Sequence, residues 1–132
     1  MAFPVEEKFI AKAEEELGVR FPDSFRQKMM KKNGEGVEVK TDYFSLYPFY
    51  DTSDKKRIKR TCNSIVHETK TAREQYGMPN ELIAIGDNGG GDVLVYKIQE
   101  NGSIDPTVYW LDHETEQLVF AATDFSELKV SA

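Results

Sequence analysis

Apolar residues in the first third of the chain recur at helical steps. Phe9, Ile10, Ala13 and Leu17 fall on one face of a segment opened by Pro4 and by Glu6 and Glu7, which suit the positive end of a helix dipole. Gly18 stands where a left-handed cap ends such a helix, so the pattern predicts a helix over roughly 4–17. Pro22, Asp23 and Ser24 give a second start, Phe25, Met29 and Met30 its apolar stripe, and Asn33-Gly34 its stop. From Gly36 to Tyr50 the period shortens to β-formers, with Val37 and Val39 alternating against Glu38 and Lys40, and Pro48 marking a strand edge or exit loop. Ser53 or Asp54 then opens a long helix in which Ile58, Cys62, Ile65, Val66, Thr69, Ala72 and Tyr76 share a face until Gly77 and Pro79.

Beyond Leu82 the chain reads as sheet. Leu82–Ile85 and Asp92–Ile98 flank a glycine-rich turn, Asn101-Gly102 marks another, and strands follow around Val108 and Trp110 and over Leu118–Ala121. Short turns between consecutive strands imply an antiparallel meander, and Asp124–Leu128 reads as a short terminal helix. The expected fold is α+β in a single domain over 1–132, with two N-terminal helices, one long central helix and a mainly antiparallel sheet carrying its helices on one face.

A chain of 132 residues hides roughly 68% of its extended surface on folding, enough for one core. With 39% hydrophobic residues it is too apolar for a disordered chain, and it holds no long uncharged apolar run. The N-terminus lacks a basic segment followed by an apolar one, and one cysteine cannot make an internal disulfide, which points to the cytosol. The net charge of −6 argues against bulk nucleic-acid binding. That charge is unevenly placed: residues 1–80 carry 15 Lys and Arg against 13 Asp and Glu, whereas residues 81–132 carry 2 against 10. The acidity belongs to the turns of the meander, where it acts on the steering of partners.

Catalytic and metal motifs are weak. His67-Glu68-Thr69-Lys70-Thr71 has Thr where a zinc protease needs its second His, and two His with one Cys cannot supply a four-ligand structural zinc site. Asp87, Asn88 and Asp92 lack the periodicity and terminal Glu of a calcium loop, and the glycines beside them lack the Lys and Ser or Thr of a phosphate loop. No metal or cofactor is expected. Five helical residues separate Cys62 from His67, a net rotation of about 140°, so Cys62 reads as a small core residue and not as a nucleophile. Asp112-His113-Glu114 offers an acid, a base and an imidazole, but in a charged turn. The basic run Lys55–Arg60 reads as a solvated helix face with Ile58 turned to the core and Asp51 and Asp54 offsetting its charge.

Glu16-Leu17-Gly18-Val19-Arg20-Phe21-Pro22, Asn33-Gly34, Ile85 to Asp92 with its closing Gly91-Asp92, and Phe125-Ser126-Glu127-Leu128 occur in that order. In this the chain resembles the SUKH superfamily of Smi/Knr-like proteins, which includes a fungal cell-wall regulator and many bacterial immunity proteins. Leu17, Gly18, Pro22, Asn33, Gly34 and Gly91 read as structural positions, since glycine and proline meet torsional needs there. Asp92, at a turn-to-strand junction, either accepts bonds from its loop or faces a partner.

The resemblance implies a non-enzymatic binding module that occludes a cognate toxin, often a nuclease with a cationic active site. Charge and turn position then single out Asp87, Asn88, Asp92, Asp112, Glu114 and Glu116, with Tyr43, Tyr47 and Trp110 as anchors, for binding a basic protein partner. Two alternatives stand beside it: a regulatory scaffold for an endogenous partner, and a small hydrolase using the carboxylates near Asp112. Sequence alone leaves the oligomeric state open.

Overall fold

A computed structural model describes residues 2–130. Helix α1 runs Glu7–Leu17 and α2 Asp23–Lys31, so Pro4 lies outside the first helix. The segment before α1 is instead tied to the end of α2, where Val5 N–H donates to Met30 O and Asn33 N–H to Phe3 O. Gly18 caps α1 at φ 69°, in the left-handed region where glycine carries no Cβ penalty. Between the helices Glu14 is buried and accepts from Phe21 N–H at 2.7 Å and from Arg26 Nε at 3.1 Å. Arg26 also reaches Glu7 through Nη1 at 2.8 Å, so one guanidinium fastens α2 to both ends of α1.

Strand β1 covers Gly36–Val39 and β2 Asp42–Leu46, joined by a tight turn with Lys40 at φ 57°. This hairpin divides the β-rich stretch that the sequence presents as one run, because the turn has no glycine to announce it. The central helical segment is likewise divided, into α3 (Lys55–Thr61) and α4 (Ile65–Gln75). Ser64 accepts from His67 N–H at 3.2 Å and so starts α4 afresh, while Thr61 Oγ1 donates to Arg57 O and accepts from Asp51 N–H. The apolar spacing runs in phase across the break, which hides it from periodicity.

The break reverses two expectations. Cys62, at the end of α3, is exposed, and Ile58 is exposed as well, because α3 is too short and too peripheral to bury a face. Tyr76 at the far end of α4 is also exposed.

Strands β3 (Leu82–Asp87), β4 (Val93–Ile98), β5 (Ile104–Leu111) and β6 (Leu118–Ala122) follow as a meander, then a short 3₁₀ turn at Phe125–Glu127 and β7 (Lys129–Val130), a strand without a sequence signal. The sheet is seven-stranded and antiparallel, in the order β6-β5-β4-β3-β2-β1-β7. The α+β class expected from the sequence is the class observed. Phe21 and Phe25 from the helical side stack against Phe49 and Tyr96, with Phe25 also meeting Phe125 at 5.1 Å between ring centroids.

Strand β2 pairs with β3 only at Ser45–Asp87 and Leu46–Gly86. Where β2 departs, α4 completes the hydrogen bonding of β3. Thr69 Oγ1 accepts from Ala84 N–H at 3.0 Å and lies 3.4 Å from Ala84 O, and Arg73 Nη2 donates to Leu82 O at 3.0 Å. Buried backbone groups need such partners, so Thr69 and Arg73 stand in for an absent strand.

Candidate functional site

In an antiparallel meander alternate turns fall at the same end of the sheet. The β1–β2, β3–β4 and β5–β6 turns therefore meet, and with them Asp42, Asp87, Asn88, Asp92, Asp112, Glu114 and Glu116. The turns are laced to one another. Asn88 Nδ2 donates to Asp42 Oδ2 at 2.9 Å, joining the first two turns. Asp92 joins the second to the third: it accepts Trp110 Nε1–H at 2.8 Å and His113 N–H at 3.0 Å, and lies 2.6 Å from His113 Nδ1.

Each carboxylate has a distinct local task. Asp87 accepts from Gly89 N–H and from the hydroxyl of Tyr47 at 2.7 Å. Asn88 Oδ1 accepts from Gly90 N–H and Asp92 N–H, which holds the glycine-rich loop in shape. Asp112 Oδ1 accepts from Glu114 N–H and Thr115 N–H, closing the third turn. Glu114 and Glu116 are exposed, the latter at φ 59°. Of the carboxylates at this turn, Asp112 is thus a turn-former and Glu114 is solvated.

Among the proposed anchors, Tyr43 is 48% exposed and its ring lies across Gly36, where an added Cβ would collide with it. Trp110 is half-buried, edge-on to Phe44 at 4.9 Å between ring centroids. Tyr47 is buried, so its aromatic surface is not available for docking. Burial, then its bond to Asp87, pushes its hydroxyl well above the usual range for a phenol.

The charges interact in ways that fix their state. Burial raises the carboxyl of Asp92, but the bonds from His113 and Trp110 outweigh it and hold the group below its ordinary value. The bond to Asp92 raises His113 above its ordinary value against partial desolvation, with Glu114 and Asp112 adding to the effect. Donor atoms of Asp92, Asp112 and His113 lie within 4.8 Å of one another, close enough for a cation. Both Asp92 oxygens already accept protein donors, so the arrangement is a clasp between two turns. Gly91 is part of it: φ is 107°, and an added Cβ would lie 3.0 Å from the His113 ring.

The basic run on α3 is largely exposed, as expected of a solvated helix face, with part of it folded over Phe3. Arg57 and Arg60 lie over the Phe3 ring at 4.4 and 5.2 Å and Lys56 at 5.6 Å, while Arg57 pairs with Asp54 at 2.6 Å and Asp51 at 3.6 Å. Cys62 and His67 line one groove of about 330 Å³ with Phe9, Lys12 and Tyr50. The rotation argument separating them fails because the helix stops between them. Sequence reasoning missed Asp42 and the clasp role of His113; Asp42 follows the glycine-free β1–β2 turn, so the rule that alternate meander turns share an end could not reach it.

Among the described residues no helix is long and apolar enough to cross a membrane. The chain is thus an α+β fold with three turns laced together at one end of its sheet. The family model described as SMI1/KNR4 family (SUKH-1) matches residues 4–129, and the chain belongs to that family. The family is known for toxin-immunity-like, generally non-catalytic proteins, which supports a non-enzymatic protein-binding module at family level. No curated protein matches the chain.

Proposed function

We propose that this protein is a cytosolic immunity protein that neutralises a cognate toxin by covering its active site with the acidic end of the sheet. The observation that carries the reading is the lacing of two acidic turns to each other and to Asp42 of the β1–β2 turn by the Asp92–His113 and Asn88–Asp42 bonds. A preorganised anionic surface steers a basic partner and spares part of the ordering cost of association. A nuclease domain suits such a surface, since its cationic site is built to receive phosphates. Asp87, Asp92 and Asp112 act mainly by shaping the turns, Glu114 and Glu116 by direct charge, and Tyr43 and Trp110 by apolar area.

The test is co-expression with candidate toxins encoded beside the gene, scoring survival and complex formation. Rescue is expected, with an association rate that falls steeply as salt is raised. Absence of rescue and of any complex overturns immunity and leaves an endogenous regulatory partner; a salt-independent association rate removes the charge argument.

A further inference from the structure

Strand β6 closes one edge of the sheet and, among the described residues, pairs with β5 alone. Edge strands ordinarily carry charges, prolines or bulges that discourage further pairing. From Leu118 to Ala122 β6 has neither charge nor proline, and its register shift lies beyond Phe120. Leu118, Val119 and Phe120 are 38%, 39% and 52% exposed, three consecutive apolar side chains presented on both faces of an open edge. Register extends the patch inward, because Leu118 lies opposite Leu111 and Phe120 opposite Tyr109, each half-buried.

The flanks of β6 define what fits. Asp112, Glu114 and Glu116 precede it, Asp124 and Glu127 follow it, and no Lys or Arg lies between Asp112 and Glu127. Bonds from Ser126 and Thr123 hold Asp124 and Glu127 below their ordinary values, so both stay ionised at neutral pH. A second copy paired antiparallel on β6 would set Asp112–Glu116 of one molecule against Asp124–Glu127 of the other, and like charges facing each other across strands are destabilising. We infer that β6 is a docking edge which receives an extended segment of a protein partner as an additional strand, apolar at its centre and carrying Lys or Arg at both ends. Main-chain bonds to the open edge give affinity, and the flanking acids select the basic ends. The inference rests on the protein-binding reading above and specifies how the partner engages.

A capped synthetic peptide in which Val and Thr alternate between terminal pairs of Lys serves as the probe. On adding it at millimolar concentration to the full chain, slowed hydrogen exchange is expected at amides of 118–122, with chemical-shift changes in the Asp112–Glu116 turn. Methylating the peptide nitrogens that face β6, replacing its Lys by Glu, or introducing Phe120→Lys should each weaken binding about tenfold or more, the scale of one or two lost bonds or a charge reversal. Circular dichroism and thermal unfolding establish that Phe120→Lys folds. Absence of protection at β6, equal binding of the Glu peptide, or a dimer in sedimentation whose interface includes β6 overturns the proposal. Peptide binding at β6 without toxin rescue retains the docking edge and removes immunity. Toxin rescue that Phe120→Lys leaves at full strength does the reverse.

Discussion

The indole N–H of Trp110 donates to Asp92 Oδ2 at 2.8 Å, so a carboxylate of the β3–β4 loop holds an aromatic side chain of β5 in place. Asp92→Ala leaves that donor and His113 N–H without their acceptor. A partly buried donor left unpaired costs about 1–3 kcal/mol, and urea unfolding should show a loss in that range. Trp110 fluorescence should shift as the ring loses its fixed orientation, whereas an unchanged spectrum would separate the two residues.

The Asp92–His113 clasp should be pH-dependent with a defined sign. A raised His113 value contributes stabilisation present below the ordinary imidazole value and lost as pH rises through the folded value. A lowered Asp92 value contributes stabilisation present above the ordinary carboxyl value and lost as pH falls through the folded one. The clasp is therefore at full strength between about pH 3.9 and 6.5 and weakens outside that window. Titration of the His113 ring by NMR should give a raised midpoint that returns towards the ordinary value in Asp92→Asn.

Gly91→Ala should distort the same loop, since the site requires a φ of 107° and the new Cβ would press on the His113 ring. Backbone strain of this kind costs about 1–3 kcal/mol. Thermal unfolding should report the loss, together with faster amide exchange over 88–92.

Arg26 and Glu14 are both buried and each is the other's counter-charge. Removing one partner leaves an uncompensated buried charge, so Arg26→Ala should destabilise by about 3–5 kcal/mol. The double replacement by apolar residues of similar size should recover most of that loss in denaturant unfolding. A small effect of Arg26→Ala alone would mean that water reaches the pair.

Thr69→Val removes the hydroxyl that satisfies Ala84 while preserving shape, and should cost about 1–3 kcal/mol. Thr69→Ser keeps the bonds and should cost less; a larger loss in Thr69→Ser than in Thr69→Val would show that the methyl group, and not the hydroxyl, carries the contribution.

The sequence made the helices, the meander and the acidic turns readable because each has a local signature: Gly18 and Pro22 punctuate the helices, and Asn88 to Gly91 and Asn101-Gly102 mark turns. The break at Cys62–Ser64 was illegible because its cap, Ser64, sits inside an unbroken apolar rhythm. Burial of Tyr47 and exposure of Leu118–Phe120 depend on neighbours far along the chain. Tyr47 is tied to Asp87, and β6 is exposed because β7 crosses to the opposite edge. The pairing of His113 with Asp92 is likewise a product of register, and no spacing in the sequence announces it.

That crossing of β7 bears on how the sheet assembles. From β3 to β6 each strand meets the one before it through a short connection, so pairing can advance locally along the chain. The two pairs of β7 with β1, Val130 with Val37 and Lys129 with Glu38, close a loop that encloses most of the sequence. Such a contact gains nothing from local chain connectivity and adds only two residues of ladder, so it forms after the rest and opens first. The two edges of the sheet thus differ in kind: one is a short clasp on the margin of stability, the other a longer strand held by its hairpin and ready to accept a neighbour.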